Sequence, residues 1–275
     1  MADYKPYMSG RIYGNVKAPT DLKLGEGAEI YGNVRLGKKV VVSDGAKLYG
    51  PLRIGNNVKI GMNARIGYPT LGLLNKMLEE HGKIVDGGLE TVIGDDVFID
   101  ADVMIYEDSK IGNNVRIFHH ATIREKVDIG DSSMIGCYTV IDGPYVKIGR
   151  NNFIHAQSYI CSKTTMGDQN FFGPQSGTIN EKTAQSRVGL PSYAGDAYRD
   201  LEAGPTIGNG CVIGEAAHLM MSVKLEDNAV VGAGALVTKD IPNGEVWIGN
   251  PAKKLKHRSQ IPNYELDTFK HLEEK

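Results

Sequence analysis

Isoleucine recurs at every sixth position through the middle of the chain, from residue 93 to residue 141. The nine positions of this run are Ile93, Ile99, Ile105, Ile111, Ile117, Ile123, Ile129, Ile135 and Ile141. An α-helix repeats every 3.6 residues and a strand alternates every two, so neither element alone produces a period of six. An uninterrupted period therefore indicates an internal structural repeat, which outranks every local preference in deciding the fold.

Each aliphatic position is followed by residues that favour tight turns, as in Gly94-Asp95-Asp96 and Gly112-Asn113-Asn114. The hexad thus predicts a short strand, with its aliphatic side chain pointing inward, and then a corner. Three hexads would complete one triangular coil. A single coil cannot bury its own aliphatic side chains, so the coils must stack on one another and share a continuous core.

The same phase appears in three further stretches, residues 12–66, 148–172 and 207–237, with a one-residue slip at Gly143-Pro144. Ala18 fills one aliphatic slot of the first stretch. Together the four stretches hold about 30 hexads, which predicts about ten coils.

Two segments interrupt the repeat, residues 67–92 and residues 179–206, and we interpret both as loop insertions. Leu71, Leu74 and Leu78 in the first insertion have the spacing of a short amphipathic helix. We expect one β-helical domain over residues 1–258. Residues 259–275 are predicted to form a short C-terminal helix near the end of the solenoid.

The chain carries 31 basic and 33 acidic residues among 275, a net charge of −2. This near-neutral balance gives no electrostatic field that would attract nucleic acid or a membrane surface. No apolar run approaches the ~18 residues of a membrane span, and the first residues lack a basic-then-apolar signal segment. Three scattered cysteines, Cys137, Cys161 and Cys211, favour reduced thiols and a cytoplasmic location.

The repeat resembles the left-handed parallel β-helix of the hexapeptide-repeat acyltransferases, so we expect an all-β fold of that hand. Residues 207–214, 231–242 and 249–254 resemble the closing segment of acetyl-CoA-dependent sugar acetyltransferases. The resemblance implies acetyl-CoA as co-substrate and a homotrimer with the cofactor between subunits. It also implies a set of cofactor contacts, namely Ala233, Thr238, Lys239 and Lys253.

Residues 172–182 occupy the place where nucleotide-sugar N-acetyltransferases carry a phenylalanine-threonine-asparagine-aspartate stretch. Asn180 and Glu181 take its last two positions, whereas Thr178 and Ile179 depart from it. The resemblance implies that Asn180 and Glu181 bind the acceptor, a small amine or hydroxyl compound such as a nucleotide-linked aminosugar.

Acyl transfer needs a base near the attacking amine or hydroxyl, and histidine is the usual one. His119 lies two residues after the inward Ile117, where several hexapeptide acyltransferase families keep a catalytic histidine. The resemblance therefore implies a catalytic role for His119. His155 should lie on the same edge about 10 Å higher and assist as a second base or substrate contact. His120 turns the corner and is expected to point elsewhere.

Two alternatives remain open at this point. The γ-class carbonic anhydrases share the fold and bind zinc through two histidines 36 residues apart and a third five later. His119 and His155 have the first spacing, but Ile160 occupies the third position, so no metal is expected. A non-catalytic solenoid that serves as an assembly scaffold is the other alternative.

Overall fold

Short strands follow one another at hexad spacing throughout the computed structural model, which describes residues 10–79, 89–180 and 203–261. The strands before the first insertion are β1 (Arg11–Tyr13), β2 (Val16–Lys17), β3 (Lys23–Leu24), β4 (Glu29–Tyr31), β5 (Val34–Leu36), β6 (Val41–Val42), β7 (Lys47–Tyr49), β8 (Leu52–Ile54), β9 (Lys59–Ile60) and β10 (Arg65–Tyr68). One helix, α1 (Leu71–Glu79), follows them.

The repeat then continues in two blocks. The strands between the insertions are β11 (Thr91–Ile93), β12 (Phe98–Ile99), β13 (Met104–Tyr106), β14 (Lys110–Ile111), β15 (Arg116–Ile117), β16 (Thr122–Ile123), β17 (Val127–Ile129), β18 (Met134–Ile135), β19 (Val140–Ile141), β20 (Val146–Ile148), β21 (Phe153–Ile154), β22 (Tyr159–Ile160), β23 (Thr165–Met166), β24 (Phe171–Phe172) and β25 (Gly177–Thr178). The strands after the second insertion are β26 (Thr206–Ile207), β27 (Val212–Ile213), β28 (His218–Leu219), β29 (Lys224–Leu225), β30 (Val230–Val231), β31 (Leu236–Val237), β32 (Glu245–Ile248) and β33 (Lys253–His257).

Strands three apart in the chain pair in parallel, and this rule sorts them into three sheets that form the faces of a prism. The first sheet runs from β1 through β4 and β7 to β31 and has 11 strands. The second runs from β2 to β29 with 10 strands, and the third from β3 to β33 with 12. The predicted all-β, left-handed parallel β-helix is confirmed. It has about eleven coils rather than ten, because β32 and β33 extend the third sheet beyond the last regular hexad.

Inward isoleucines stack directly on one another through successive coils. In the first sheet Ile105 pairs with Ile123, Ile123 with Ile141 and Ile141 with Ile160. All four side chains have no exposed surface. Burying a side chain of this size contributes about 1.5–3 kcal/mol, so the stacked column provides the main stabilisation of the prism.

Each corner between two sheets commonly places one residue per coil in the left-handed backbone region. Asn57, Asp96 and Asn114 form one such column, with φ of 59°, 57° and 53°. Asn and Asp tolerate this region better than other non-glycine residues, which explains why the hexads are rich in them. The predicted slip is also present, because Ile129 pairs with Ile111 eighteen residues before it and with Ile148 nineteen residues after it.

The C-terminal end departs from the hexad pattern. Strand β33 pairs antiparallel with β32 and forms the edge of the third sheet. Its lysines suit an edge strand, because charged side chains discourage the addition of another strand. A 3₁₀ turn, Arg258–Gln260, follows. The predicted C-terminal helix falls mainly on residues 262–275, which lie outside the described residues, as do residues 80–88 of the first insertion and residues 181–202 of the second.

Candidate active site

A cleft of about 460 Å³ opens on the outer surface of the first sheet, over β22, β25 and β28. We call it the C-terminal cleft. Its lining residues are Asp142, Gln157, Tyr159, Gln175, Ser176, Gly177, Thr178, Ile179, Asn180 and His218. The volume is within the range of small-molecule sites, and the lining is rich in hydrogen-bonding groups.

His218 extends outward from β28, the residue before the buried Leu219. Its Nδ1 lies 3.1 Å from the carbonyl oxygen of Ala216. A carbonyl oxygen only accepts hydrogen bonds, so Nδ1 carries the proton in this contact. The neutral ring then keeps a lone pair on Nε2, which is the state required of a general base.

Glycine at position 177 makes room for this ring. Gly177 pairs with His218 in the neighbouring coil. A β-carbon at residue 177 would lie 3.1 Å from Cδ2 and 3.3 Å from Nε2 of His218. Any larger side chain would press on the imidazole.

A carboxylate and a phenol stand at the opposite side of the cleft. The hydroxyl of Tyr159 donates a hydrogen bond to Oδ2 of Asp142 at 2.9 Å. Arg124 approaches Oδ1 of the same carboxylate at 3.4 Å. Asn180, predicted to bind the acceptor, also lines the cleft, and its side-chain amide donates to the hydroxyl of Ser162 at 2.6 Å. Glu181, the other predicted acceptor contact, lies outside the described residues.

The residues predicted to bind the cofactor gather one coil above His218. Strand β31, which pairs with β28 through Leu236 and His218, lies between Ala233 and Thr238. Ala233, Thr238 and Lys239 are all exposed. The backbone N–H of Ala252 donates to the carbonyl of Leu236 at 2.7 Å, which brings the exposed Lys253 to the same coil.

Lys254, next to the predicted cofactor contact Lys253, already has a partner. Its Nζ lies 2.5 Å from Oε1 of Glu245. The hydrogen bonds from Lys254 and from the indole of Trp247 lower the pKa of the Glu245 carboxyl. Lys239 and Lys253 form no salt bridge within the described residues, so they are the cations available to a ligand at this end.

His119 occupies a different place, at the corner between the third sheet and the first. Its Nδ1 lies 3.6 Å from Oδ2 of Asp100, and its side chain is 46% exposed. The ring of His120 lies 5.6 Å from that of His119 and stacks at 4.7 Å on Tyr138. The prediction that His120 points elsewhere is therefore wrong, because Tyr138 in the next coil draws both imidazoles into one aromatic cluster.

His155 lies at the same corner as His119, two coils higher, as the backbone hydrogen bonds from Tyr138 to His119 and from Gln157 to Cys137 show. Its ring, however, packs against Phe153 at 4.9 Å and Phe171 at 6.1 Å. The structure thus places the two predicted catalytic histidines on one edge but gives them different neighbours. Among the residues that the structure describes, no group of three His, Cys, Asp or Glu side chains is placed to hold a metal ion.

Sequence reasoning missed His218, Asp142 and Tyr159. It searched the corner positions, where related families keep their histidine, whereas His218 stands on a strand. The signal that could have found His218 is its strand register, because it pairs with Gly177 in the preceding coil. The 179–206 insertion between the two residues conceals this relationship in the sequence. In the described parts of the chain, no helix has the length and apolarity to cross a membrane.

Two family models match the chain. The bacterial transferase hexapeptide (six repeats) matches residues 90–124 and 108–143, and the hexapeptide repeat of succinyl-transferase matches residues 206–239. A bifunctional protein GlmU from Alkalilimnicola ehrlichii is 28% identical over 196 residues, which cover 63% of this chain and 41% of that protein. The GlmU of Thermosipho africanus is 32% identical over 150 residues, covering 52% and 31%. The chain thus spans less than half the length of these relatives.

Solved structures with a similar fold include acyltransferases. The UDP-N-acetylglucosamine acyltransferase from Campylobacter jejuni is 15% identical and has a TM-score of 0.43, over 96% of this chain and 81% of that one. A point mutant of perosamine N-acetyltransferase from Caulobacter crescentus, in complex with CoA and GDP-perosamine, is 18% identical with a TM-score of 0.37 over 70% of each chain. From the family-model matches, the chain carries the bacterial transferase hexapeptide over residues 90–143 and the hexapeptide repeat of succinyl-transferase over residues 206–239.

Proposed function

We propose that this protein is an acyltransferase that moves an acetyl group from acetyl-CoA to an amine or hydroxyl of a sugar-type acceptor, such as a nucleotide-linked aminosugar. The observation that carries the proposal is the position of His218. Within the described residues this exposed imidazole makes no hydrogen bond through Nε2, and it lies one coil below the exposed Ala233 and Thr238. The same coils, residues 206–239, match the succinyl-transferase repeat.

The chemistry follows from these groups. The acceptor nitrogen or oxygen attacks the thioester carbonyl, the carbon–sulfur bond breaks, and coenzyme A leaves as its thiolate. Nε2 of His218 takes the proton that the acceptor loses and returns it to the departing sulfur. Asp142, Tyr159 and Asn180 line the same cleft and would orient an acceptor rich in hydroxyls.

The acyl donor belongs at the C-terminal end in this proposal. Ala233 and Thr238 flank the thioester arm, while Lys239 and Lys253 face the phosphates of coenzyme A. Phosphate groups form strong charge-assisted hydrogen bonds with lysine, and these two lysines have no competing carboxylate among the described residues. The bound donor would thus lie within one coil of His218.

His119 is the second candidate base, with His155 as its assistant. The contact between His119 and Asp100 supports it, because a carboxylate fixes the orientation of an imidazole. The position of His119 argues against a catalytic role. Five coils separate His119 from Ala233 along the corner, about 24 Å at ~4.8 Å per coil.

We also propose a homotrimer, which the resemblance to the family implies. Sedimentation equilibrium at micromolar concentration should then give three times the 29.9 kDa mass of the chain. A monomer would contradict the trimer but leave the assignment of His218 intact.

The experiment for the reaction measures coenzyme A thiol release from acetyl-CoA with UDP-, GDP- and dTDP-linked aminosugars as acceptors. We expect His218→Ala to lower kcat by about 10²–10⁴-fold, the usual contribution of a general base, with acetyl-CoA affinity unchanged. His119→Ala is the matched control. Loss of activity in His119→Ala and retention in His218→Ala would transfer the catalytic role to His119. Absence of binding and turnover with acetyl-CoA would favour the scaffold alternative.

A further inference from the structure

A second cleft of about 460 Å³ lies on the third sheet, far from the C-terminal cleft. We call it the basic cleft and define it by Lys39, Lys59, Asp96, Phe98, Arg116 and Phe118. It occupies the N-terminal half of the prism and a different face. The transfer chemistry proposed above makes no use of it.

Two columns of the solenoid build this cleft. On the sheet, Lys59 pairs with Phe98 and Phe98 with Arg116, so a phenylalanine stands between two cations in successive coils. At the adjoining corner, Lys39 and Asp96 belong to the left-handed column and line the other side.

The three cations of the basic cleft are available to an anion. Lys39, Lys59 and Arg116 are exposed and form no salt bridge within residues 10–79, 89–180 and 203–261. Six other lysines and arginines in these residues do pair with a carboxylate and are less available to an anion, in Lys47–Glu29, Arg53–Glu90, Arg124–Glu125, Arg150–Asp168, Lys224–Glu226 and Lys254–Glu245.

The acidic side chain in the cleft does not neutralise them. Asp96 accepts a hydrogen bond from the amide of Asn57 at 2.9 Å and makes no ion pair with the three cations. Three positive charges against one negative charge leave the cleft positive in a protein whose net charge is −2. Such a concentration of one sign in a concave surface attracts anions.

The aromatic side chains narrow the choice of anion. Phe98 is 37% exposed, and its ring lies 6.5 Å from that of Phe118 at an angle of 62°. Exposed aromatic rings bind flat ligands by stacking, while lysine and arginine bind phosphate oxygens. A ligand that carries both groups would satisfy both halves of the cleft.

We infer that the basic cleft binds a nucleoside diphosphate group, with its phosphates on Lys39, Lys59 and Arg116 and its base on Phe98 and Phe118. Two sources would supply this chemistry: a free nucleoside diphosphate, or the nucleotide part of a nucleotide-linked acceptor. The binding itself does not depend on the proposed reaction.

The test is isothermal titration of the full chain with ADP, GDP, UDP and dTDP, each compared with its nucleoside and with inorganic phosphate. We expect at least one diphosphate to bind about tenfold or more tightly than either fragment, since both contacts are needed. Lys59→Ala/Arg116→Ala should weaken that binding about tenfold or more, and Phe98→Ala should weaken it as well.

Lys110→Ala is the matched control, because Lys110 is an exposed strand lysine on the second sheet. It should bind like the parent protein, and all variants should keep the parent melting temperature. Binding of no diphosphate at millimolar concentration, or equal affinity in Lys59→Ala/Arg116→Ala and Lys110→Ala, would overturn the inference.

Steady-state kinetics of Lys59→Ala/Arg116→Ala distinguish the two sources of the nucleoside diphosphate group. A raised KM for a nucleotide-linked acceptor with unchanged kcat would identify the acceptor as the source. Unchanged KM together with weakened diphosphate binding would identify the free nucleotide. Both results support the site, and neither depends on which histidine is the base.

Discussion

The imidazole of His218 rests above Gly177, and a β-carbon at that glycine would come within 3.1 Å of its Cδ2. The two residues are register partners on adjacent strands of the first sheet. Contacts of 3.0–3.4 Å are tighter than most real β-carbon contacts, so the ring would have to shift. The glycine thus leaves the space that the imidazole occupies.

Gly177→Ala should therefore impair transfer without unfolding the protein. We expect kcat/KM to fall by up to about tenfold, because the ring must give by a few tenths of an ångström, and a full ångström at a reacting group costs about a hundredfold. Gly72→Ala in α1 is the control, since a β-carbon there meets nothing within 4 Å. Equal activity of the two alanine variants would show that the ring position does not matter.

The cations at the C-terminal end should contribute to donor binding. Lys239→Ala and Lys253→Ala should each weaken coenzyme A binding by roughly 1–3 kcal/mol if they bind its phosphates. Lys254→Ala should have a smaller effect, because Glu245 already neutralises that lysine. The losses should shrink at high salt. Titration calorimetry gives the coenzyme A affinity of all three variants. Unchanged affinity in Lys239→Ala and Lys253→Ala would show that these lysines do not bind the cofactor.

A buried amide ladder should be important for stability. The side chain of Asn170 donates to Oδ1 of Asn152 at 3.0 Å and accepts from the backbone N–H of Cys211 at 2.7 Å. Asn170→Ala removes the acceptor of the buried Cys211 N–H, at about 1–3 kcal/mol, whereas Oδ1 of Asn152 keeps the backbone N–H of residue 170 as its donor. Urea unfolding should show a loss of that size. Asn243 is exposed, so the free energy of unfolding of Asn243→Ala should stay within ~0.5 kcal/mol of the parent value. An equally small loss in Asn170→Ala would contradict the role of the ladder.

The three cysteines should differ in reactivity. Burial raises the pKa of the Cys211 thiol to about 11 and also raises that of Cys161. Both stay protonated at neutral pH, where the thiolate is the reactive form. Cys137 is only half-buried. We expect a colourimetric thiol reagent to label one group per native chain and all three after denaturation. Rapid labelling of three thiols in the native protein would show that the core opens.

The fold was predictable because the hexad is a local signal repeated many times. Each inward isoleucine, such as Ile117, reports the phase of its own coil, and the stacking of coils follows from the need to bury it. The end of the prism was less predictable, since β32 and β33 contain no hexad. Strand β32 pairs with β30, and β33 pairs with β32, which the spacing does not show.

The site was harder to predict than the fold for a geometric reason. Residues of the C-terminal cleft come from successive coils, so Asp142 and His218 line the same cleft although they are far apart in the chain. Asn180, which lines the cleft, was predicted through its motif, whereas His218 was hidden by the insertion between β25 and β26. Predicting this site would have required the pairing of residues in adjacent coils. The spacing of each residue from the nearest isoleucine was not enough.

The most direct test of the account is the effect of acetyl-CoA on thermal unfolding. A ligand that binds only the folded state stabilises it by mass action, by about 2.7 kcal/mol at a concentration 100 times its dissociation constant. We predict a concentration-dependent rise in melting temperature that is reduced in Lys253→Ala and preserved in His218→Ala. No rise at millimolar acetyl-CoA would contradict the assignment of the chain as an acetyl-CoA-dependent acyltransferase.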